Sequence, residues 1–193
     1  MNKEFQKHLK KISLLDETRK KITLAAFLTK LFRQEGVGLV VVGGAAVQYY
    51  TLSEFVTHDL DAVLNGDTKE IIEKVMRDLG FKRTTMYRHF EHPLFDFVVE
   101  FPPSPIEVAS RILNKMNLVK TSEGEVQVVR VEDLIMDRIT AAVEWKDGAS
   151  LDQAKLMYVK HHKFIDQDYL TQFAKEEGYL KTLKEVMKVV EES

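Results

Sequence analysis

The sequence contains no cysteine among its 193 residues. That absence excludes a disulfide-stabilised scaffold, thiolate catalysis and zinc sites built on cysteine. Long apolar runs are missing as well, since no stretch approaches the ~18 consecutive apolar residues of a membrane span. The stretch from Met1 to His8 also lacks the apolar segment of a secretory signal. We therefore expect a cytoplasmic protein without membrane association.

The chain also lacks a strong excess of either charge. Its formal net charge is −2, from 28 Lys and Arg against 30 Asp and Glu, which argues against a protein that coats nucleic acid indiscriminately. The length suits one domain, or a core with a small appendage. A hydrophobic share of 45% and a charged share of 30% are ordinary for a globular protein.

Apolar residues recur at helical spacing near the N-terminus and again after residue 131, while shorter alternating runs between them predict strands. The predicted fold class is α+β, with a mixed β-sheet flanked by helices. Residues 1–130 are expected to form an α/β core with N-terminal helices, and residues 131–193 a C-terminal helical region packed on that core. The predicted helices are 3–12, 16–34, about 45–52, about 67–79, about 106–115 and those from 132 to the end. The predicted strands are 37–42, 59–64, 81–90 and 94–101, with a small hairpin about Ser122 to Gly124.

Two short motifs lie on the first two predicted strands. Strand 37–42 runs into Gly43 and Gly44, and a strand ending in two glycines lets backbone N–H groups approach a phosphate with no Cβ in the way. Asp59 and Asp61 are two apart on strand 59–64, so their side chains face the same side. Paired carboxylates beside such a turn can hold Mg²⁺, which shares oxygen ligands with substrate phosphates. Either motif alone is more often a plain turn or a chance pair of acids; their order and spacing favour a nucleoside triphosphate site.

These residues resemble the nucleotidyltransferase superfamily that includes DNA polymerase β. The resemblance rests on Gly43-Gly44, on the stretch from Thr57 to Asp61, and on an acid of a later strand. It covers roughly residues 37–180, and further stretches resemble a group of small prokaryotic nucleotidyltransferase-like proteins. Those stretches are 99–105, 133–138, 145–147 and 151–154.

The resemblance implies a site and a chemistry. Gly43 and Gly44, with Thr57, would contact the triphosphate, while Asp59 and Asp61 would ligate Mg²⁺ or Mn²⁺. A nucleoside monophosphate would pass from a nucleoside triphosphate such as ATP to a hydroxyl acceptor, and pyrophosphate would leave.

Two acids compete for the role of the superfamily's third carboxylate. Asp96 and Glu100 share one face of predicted strand 94–101 but lie ~13 Å apart along it at ~3.3 Å per residue. A metal pair whose ions sit ~3.5–4 Å apart cannot use both. The context of Glu100, between Val99 and Phe101-Pro102, matches the smaller group, so Glu100 is the predicted third ligand.

One position departs from the family pattern. Related sequences often carry an arginine two positions before the threonine, where this chain has Phe55. Arg138 is a candidate for the missing cation, and equally for a structural ion pair with Asp133 or Asp137. His89 and His92 are not predicted to bind metal, because they would not share a face and no third ligand is near.

The predicted function is a metal-dependent nucleotidyltransferase. Its acceptor would be a protein side chain, a tRNA end or a small hydroxylated molecule, and a protein partner could bring the target, as in a toxin–antitoxin pair. The alternative is a catalytically degenerate nucleotide-binding or protein-interaction module with the same fold, and Phe55 points to that alternative.

Overall fold

The computed structural model describes residues 3–66 and 68–191, and it has the predicted α+β architecture. The helices are α1 (Lys3–Ser13), α2 (Glu17–Gln34), α3 (Gly43–Tyr50), α4 (Lys69–Leu79), α5 (Val131–Glu144), α6 (Gly148–His161), α7 (Gln167–Glu176) and α8 (Leu180–Glu191). The strands are β1 (Leu39–Val41), β2 (Asp59–Leu64), β3 (Lys82–Arg83), β4 (His89–Glu91), β5 (Val98–Glu100), β6 (Glu107–Val108), β7 (Arg111–Ile112), β8 (Met116–Thr121) and β9 (Gly124–Val129).

The main sheet has seven strands in the order β3-β4-β5-β2-β1-β9-β8. Its central strand, β2, is antiparallel to β1 and parallel to β5. β9 runs parallel to β1, and the remaining neighbours are antiparallel. β6 and β7 pair separately as a small hairpin. The predicted mixed sheet is therefore confirmed.

The alternation along β2 separates the core from the candidate site. Leu60 and Ala62 are fully buried in the apolar cluster that also contains Leu24 and other residues of α2. Asp59 and Asp61 are only partly buried. Successive side chains on a strand point to opposite faces, so these two acids share the face opposite to Leu60 and Ala62. The two acids therefore lie together on the sheet face away from this core.

The C-terminal helices pack on the sheet region. α5 begins directly after β9 and contacts α3, β6 and the three helices that follow it. One apolar cluster runs from Val128 in β9 to Ile135 in α5. The predicted division near residue 130 coincides with the start of α5, although whether the two parts are separate domains stays a prediction. Among the described residues, no helix is both long and apolar enough to cross a bilayer.

Three predicted strands are shorter than expected, and the first of them, 37–42, is reduced to β1. Strand 81–90 divides into β3 and β4, separated by a turn in which Arg88 has a φ of 60°. Strand 94–101 is reduced to β5, because the Phe95 N–H donates to the His92 carbonyl at 2.9 Å and closes a turn before it. Asp96 lies outside the strand, so the prediction that it shares a strand face with Glu100 is wrong.

The helix predicted at about 106–115 is also wrong. This segment forms the β6–β7 hairpin, with Ala109 at a φ of 50° in its turn and the Leu113 N–H donating to the Ile106 carbonyl at 2.9 Å. Val108 is buried against the core, and α5 contacts β6, so tertiary packing outweighs local helical preference. The hairpin about Ser122 to Gly124 is confirmed, with β8 and β9 as its strands. Asp67, predicted near the start of a helix, lies outside the described residues.

Candidate active site

Gly43 and Gly44 form the first turn of α3, rather than a turn before that helix as predicted. Gly43 has a φ of 55°, and a Cβ there would lie 2.6 Å from Asp61 Oδ2. A Cβ at Gly44 would lie 2.8 Å from Thr57 Oγ1. Both glycines are therefore required by the close approach of α3 to these side chains, whether or not a phosphate binds.

Asp61 is anchored to the start of α3. The Gly44 N–H donates to Asp61 Oδ2 at 3.0 Å, and the Ala45 N–H also stabilises the ionised carboxylate. Burial, together with the negative charges of Glu100 and Asp59, nevertheless raises the pKa of Asp61 to about 6. Because a carboxylate offers about four acceptor positions, two backbone donors leave capacity for a further ligand. The backbone of α3 thus holds the Asp61 carboxylate at a position where burial and neighbouring acids disfavour its negative charge.

Glu100 lies beside Asp61 on the neighbouring strand. The two residues are register partners in the parallel β2–β5 pair, and adjacent strands are ~4.8 Å apart. On its other side Glu100 faces His89, its register partner on β4, and Glu100 Oε1 lies 3.1 Å from His89 Nε2. Three strands thus place a His89–Glu100–Asp61 row across the sheet. Sequence reasoning missed His89, because only the strand order shows that it neighbours Glu100.

Asp96 lies apart from this row. Its Oδ1 is 3.8 Å from Lys20 Nζ, and its side chain is 71% exposed. Of the two candidates for the third acid, the fold brings Glu100 and not Asp96 beside Asp61. The geometry therefore favours Glu100, although its role in catalysis stays a prediction.

Thr57 connects α3 to the start of β2. Its N–H donates to Gln48 Oε1 of α3 at 3.2 Å, and its hydroxyl accepts a hydrogen bond of 3.3 Å from the Asp59 N–H. The Thr57 side chain also lies against Gly44. Thr57 is therefore placed between the first turn of α3 and Asp59, where the sequence predicts contact with a triphosphate.

A cavity of about 300 Å³ opens beside Gly43. Its lining includes Val42, Val63, Pro102, Pro105, Glu107 and Arg138. Arg138 Nε donates to Asp137 Oδ2 at 2.9 Å, so the guanidinium lines the cavity while it is paired within α5. Asp133, the other predicted partner, instead accepts a hydrogen bond of 2.5 Å from the Tyr169 hydroxyl. The predicted ion pair between Arg138 and Asp137 is therefore present, and the role of Arg138 as the missing cation stays a prediction.

Within residues 3–66 and 68–191, no three His, Asp or Glu side chains are gathered closely enough to form a ready-made metal site. Asp61 is turned to the backbone of Gly44, and Glu100 is turned to His89. Neighbouring carboxylates repel one another. The donor set still fits a hard divalent cation, because Asp59, Asp61 and Glu100 all offer oxygen and are close enough for their charges to raise the Asp61 pKa.

The solved structures that resemble this chain over most of its length include the following two. One is an antigenic nucleotidyltransferase-like protein from Paracoccidioides brasiliensis, with 14% identity, a TM-score of 0.56, and coverage of 90% of this chain and 93% of that chain. The other is ANT(2'')-Ia in complex with adenylyl-2''-tobramycin, with 15% identity, a TM-score of 0.50, and coverage of 81% and 97%. No protein-family model and no curated protein matches the chain. The chain therefore has a nucleotidyltransferase-like fold, as the sequence resemblance implied.

Proposed function

We propose that this chain is a nucleotidyltransferase that moves a nucleoside monophosphate from a nucleoside triphosphate to a hydroxyl acceptor. The observation that carries the proposal is the position of Asp61, which is held at the start of α3 and lies opposite Glu100. Burial and the negative charges of Glu100 and Asp59 raise the Asp61 pKa to about 6. Strongly perturbed carboxylates of this kind are typical of functional sites, and a bound cation would relieve their repulsion.

Each site residue has a role in this proposal. Asp59, Asp61 and Glu100 would hold Mg²⁺ or Mn²⁺, which when bound stabilises charge on the reacting phosphate oxygens. The start of α3 at Gly43 and Gly44 favours an anion through the positive end of its dipole. Arg138 would add positive charge from the side of the cavity beside Gly43.

The transfer itself exchanges one bond for another. The acceptor oxygen forms a bond to the α-phosphorus, the bond from the α-phosphorus to the bridging oxygen breaks, and pyrophosphate leaves. Glu100 takes the proton of the acceptor hydroxyl at its carboxylate. His89, 3.1 Å from Glu100 Oε1, holds that carboxylate in place across the β4–β5 pair.

The acceptor is a protein side chain, a tRNA end or a small hydroxylated molecule. The solved complex of ANT(2'')-Ia contains adenylyl-2''-tobramycin, which supports the small-molecule class for the present fold. Delivery of the target by a protein partner, as in a toxin–antitoxin pair, stays a prediction without a structural observation of its own.

The test measures pyrophosphate release from ATP, GTP, CTP and UTP, with and without Mg²⁺ or Mn²⁺, in the presence of acceptors from each of the three classes. We expect release to depend on the metal and to be lost in Asp61→Asn. Asp96→Asn is the matched control, because Asp96 is exposed and lies outside the carboxylate row. Metal-independent release, or equal activity of Asp61→Asn and wild type, would contradict the proposal.

A second candidate function is a nucleotide-binding or interaction module that has lost catalysis. Phe55 packs against the core at the position where related sequences carry an arginine, and Asp137 partly neutralises Arg138. The uncharged Phe55 and the pairing of Arg138 with Asp137 would both leave less positive charge facing a triphosphate. Metal-dependent nucleotide binding without pyrophosphate release, with acceptors of all three classes, would favour this function over the first.

A further inference from the structure

Lys21 of α2 is only 2% exposed, which is unusual for a lysine. Burying an ammonium group is costly unless the group is paired and hydrogen-bonded. A charge retained in such a position suggests a role that an apolar side chain of the same size cannot fill.

Three parts of the fold surround the Lys21 ammonium. Its Nζ donates to Gln48 Oε1 of α3 at 3.1 Å and lies 3.9 Å from Glu17 Oε2 on its own helix. It also lies 4.7 Å from the centre of the Phe97 ring, immediately before β5. Burial lowers the pKa of Lys21, while the negative charges of Glu17, Asp96 and, more weakly, Asp59 oppose that change. The ammonium therefore lies within electrostatic reach of the first acid of β2.

Gln48 connects Lys21 to Thr57 through hydrogen bonds. It is 2% exposed, and its Oε1 accepts from both Lys21 Nζ and the Thr57 N–H. Its Nε2 donates to the Glu17 carbonyl at 3.0 Å and to Ser53 Oγ at 3.2 Å. With both ends of the amide engaged, Gln48 has one favoured orientation, and the Lys21 charge polarises the carbonyl that Thr57 uses.

Thr57 in turn contacts two residues of the candidate active site, Asp59 and Gly44. Its hydroxyl accepts from the Asp59 N–H, and its side chain lies against Gly44. The loop before it contains Leu52 and Ser53 at φ values of 54° and 62°. Left-handed backbone at two such residues is unfavourable, so contacts from the surrounding structure must hold the loop.

We infer that Lys21 is a positioning residue for the nucleotide site, acting through Gln48 on Thr57 and through Thr57 on Asp59. This inference rests on the proposed function. Lys21 itself is only 2% exposed, so it acts through the residues that surround it. Removing it should therefore loosen the placement of Thr57 and Asp59 against the first turn of α3, and so weaken binding of the triphosphate.

The experiment is a double-mutant cycle with a control. Lys21→Met and Gln48→Met each keep an unbranched side chain but remove the polar group that makes the contact. Lys20→Met is the control, because the neighbouring Lys20 pairs with the carboxylates of Glu17 and Asp96 and not with the Gln48 amide that Lys21 contacts. The Kd of ATP, GTP, CTP and UTP with Mg²⁺ is measured by isothermal titration calorimetry for the full chain. All measurements use a temperature at which circular dichroism shows every variant to be folded.

Lys21→Met should weaken the Kd of the best-bound triphosphate by about tenfold, which corresponds to the loss of one hydrogen bond to a charged group. Gln48→Met should have a similar effect. Because both residues act through the same contacts, the double variant should bind no more weakly than either single variant. Lys20→Met should leave the Kd unchanged.

Lower melting temperatures with an unchanged Kd in both single variants would make Lys21 a structural residue and overturn the inference. Losses that add in the double variant would overturn the path through Gln48. If Lys21→Met does not fold, the Kd of Gln48→Met is compared with that of Lys20→Met. A Kd of Gln48→Met equal to that of Lys20→Met would then overturn the inference. If the wild-type chain binds none of the four triphosphates with Mg²⁺, the proposed function fails at that first step and the inference fails with it.

Discussion

Gly43 lies so close to Asp61 that a methyl group on its Cα would sit 2.6 Å from the carboxylate Oδ2. Gly43→Ala should therefore destabilise the fold in two ways. The left-handed φ of 55° costs an alanine about 1–2 kcal/mol, and the overlap with Asp61 should add about 1–3 kcal/mol. The free energy of unfolding from urea titration measures the sum.

Gly66→Ala is the matched control for this substitution. Gly66 also has a positive φ, of 90°, but a Cβ there would meet open space. Its variant should lose only the backbone contribution of about 1–2 kcal/mol. Equal losses in the two variants would show that the contact between Gly43 and Asp61 can relax at no cost.

Asp61→Asn should stabilise the chain at neutral pH. In the unfolded chain an aspartate loses its proton near its ordinary pKa of 3.8, whereas in the fold Asp61 keeps it up to about 6. The wild type therefore loses stability as the pH rises between these values, and above them the loss stays constant at about 2–3 kcal/mol. Asparagine has no such loss and can still accept the Gly44 N–H. Urea titrations between about pH 4 and about pH 8 should show the gap between variant and wild type opening over this range.

Asp96→Asn serves as the reference in the same titrations, because its side chain is exposed. Its stability should follow that of the wild type at every pH. An Asp61→Asn variant that is less stable than wild type near neutral pH would mean that the ionised carboxylate contributes more through its backbone hydrogen bonds than it loses through burial and repulsion.

A bound divalent metal ion should offset the repulsion between the carboxylates and so stabilise the fold. With Mg²⁺ and a nucleoside triphosphate present, the melting temperature of the wild type should rise, and EDTA should abolish the rise. The combined Asp59→Asn and Asp61→Asn variant should show no rise while remaining folded, because it lacks two of the oxygen anions that would hold the cation. Equal ligand-induced stabilisation of variant and wild type would exclude these two aspartates as the metal site.

Local sequence patterns predicted the parts of the fold that short-range geometry controls. The strand 59–64 is confirmed at both ends, and its alternation alone placed Asp59 and Asp61 on one face. The β6–β7 hairpin was not predictable in this way, since its conformation depends on the burial of Val108 beside α5. Likewise, β5 is short because a turn at His92 and Phe95 precedes it.

Local sequence patterns also predicted only part of the candidate site. The glycines were interpreted as a phosphate cradle, whereas the structure shows that side chains of Asp61 and Thr57 already exclude a Cβ at both positions. His89 joins the site through strand register, and Lys21 reaches its neighbourhood from α2 through Gln48. Contacts between residues so distant in sequence depend on the order of the strands and the packing of helices, which no local pattern in this chain specifies.

The last prediction separates the two candidates for the third acid. Glu100→Gln should lower pyrophosphate release by about 100-fold or more, the usual cost of removing one group that acts on the transition state, because Glu100 lies opposite Asp61 in the register and beside His89. Asp96→Asn should retain activity near that of the wild type, since its side chain is exposed and paired only loosely with Lys20. The rates are compared at saturating triphosphate, with the Kd of the triphosphate measured in parallel so that lost binding is not mistaken for lost chemistry. An inactive Asp96→Asn beside an active Glu100→Gln would invert the assignment. Full activity of both variants would remove the third carboxylate from the mechanism and leave Asp59 and Asp61 as the only acids of the site that act on the nucleotide.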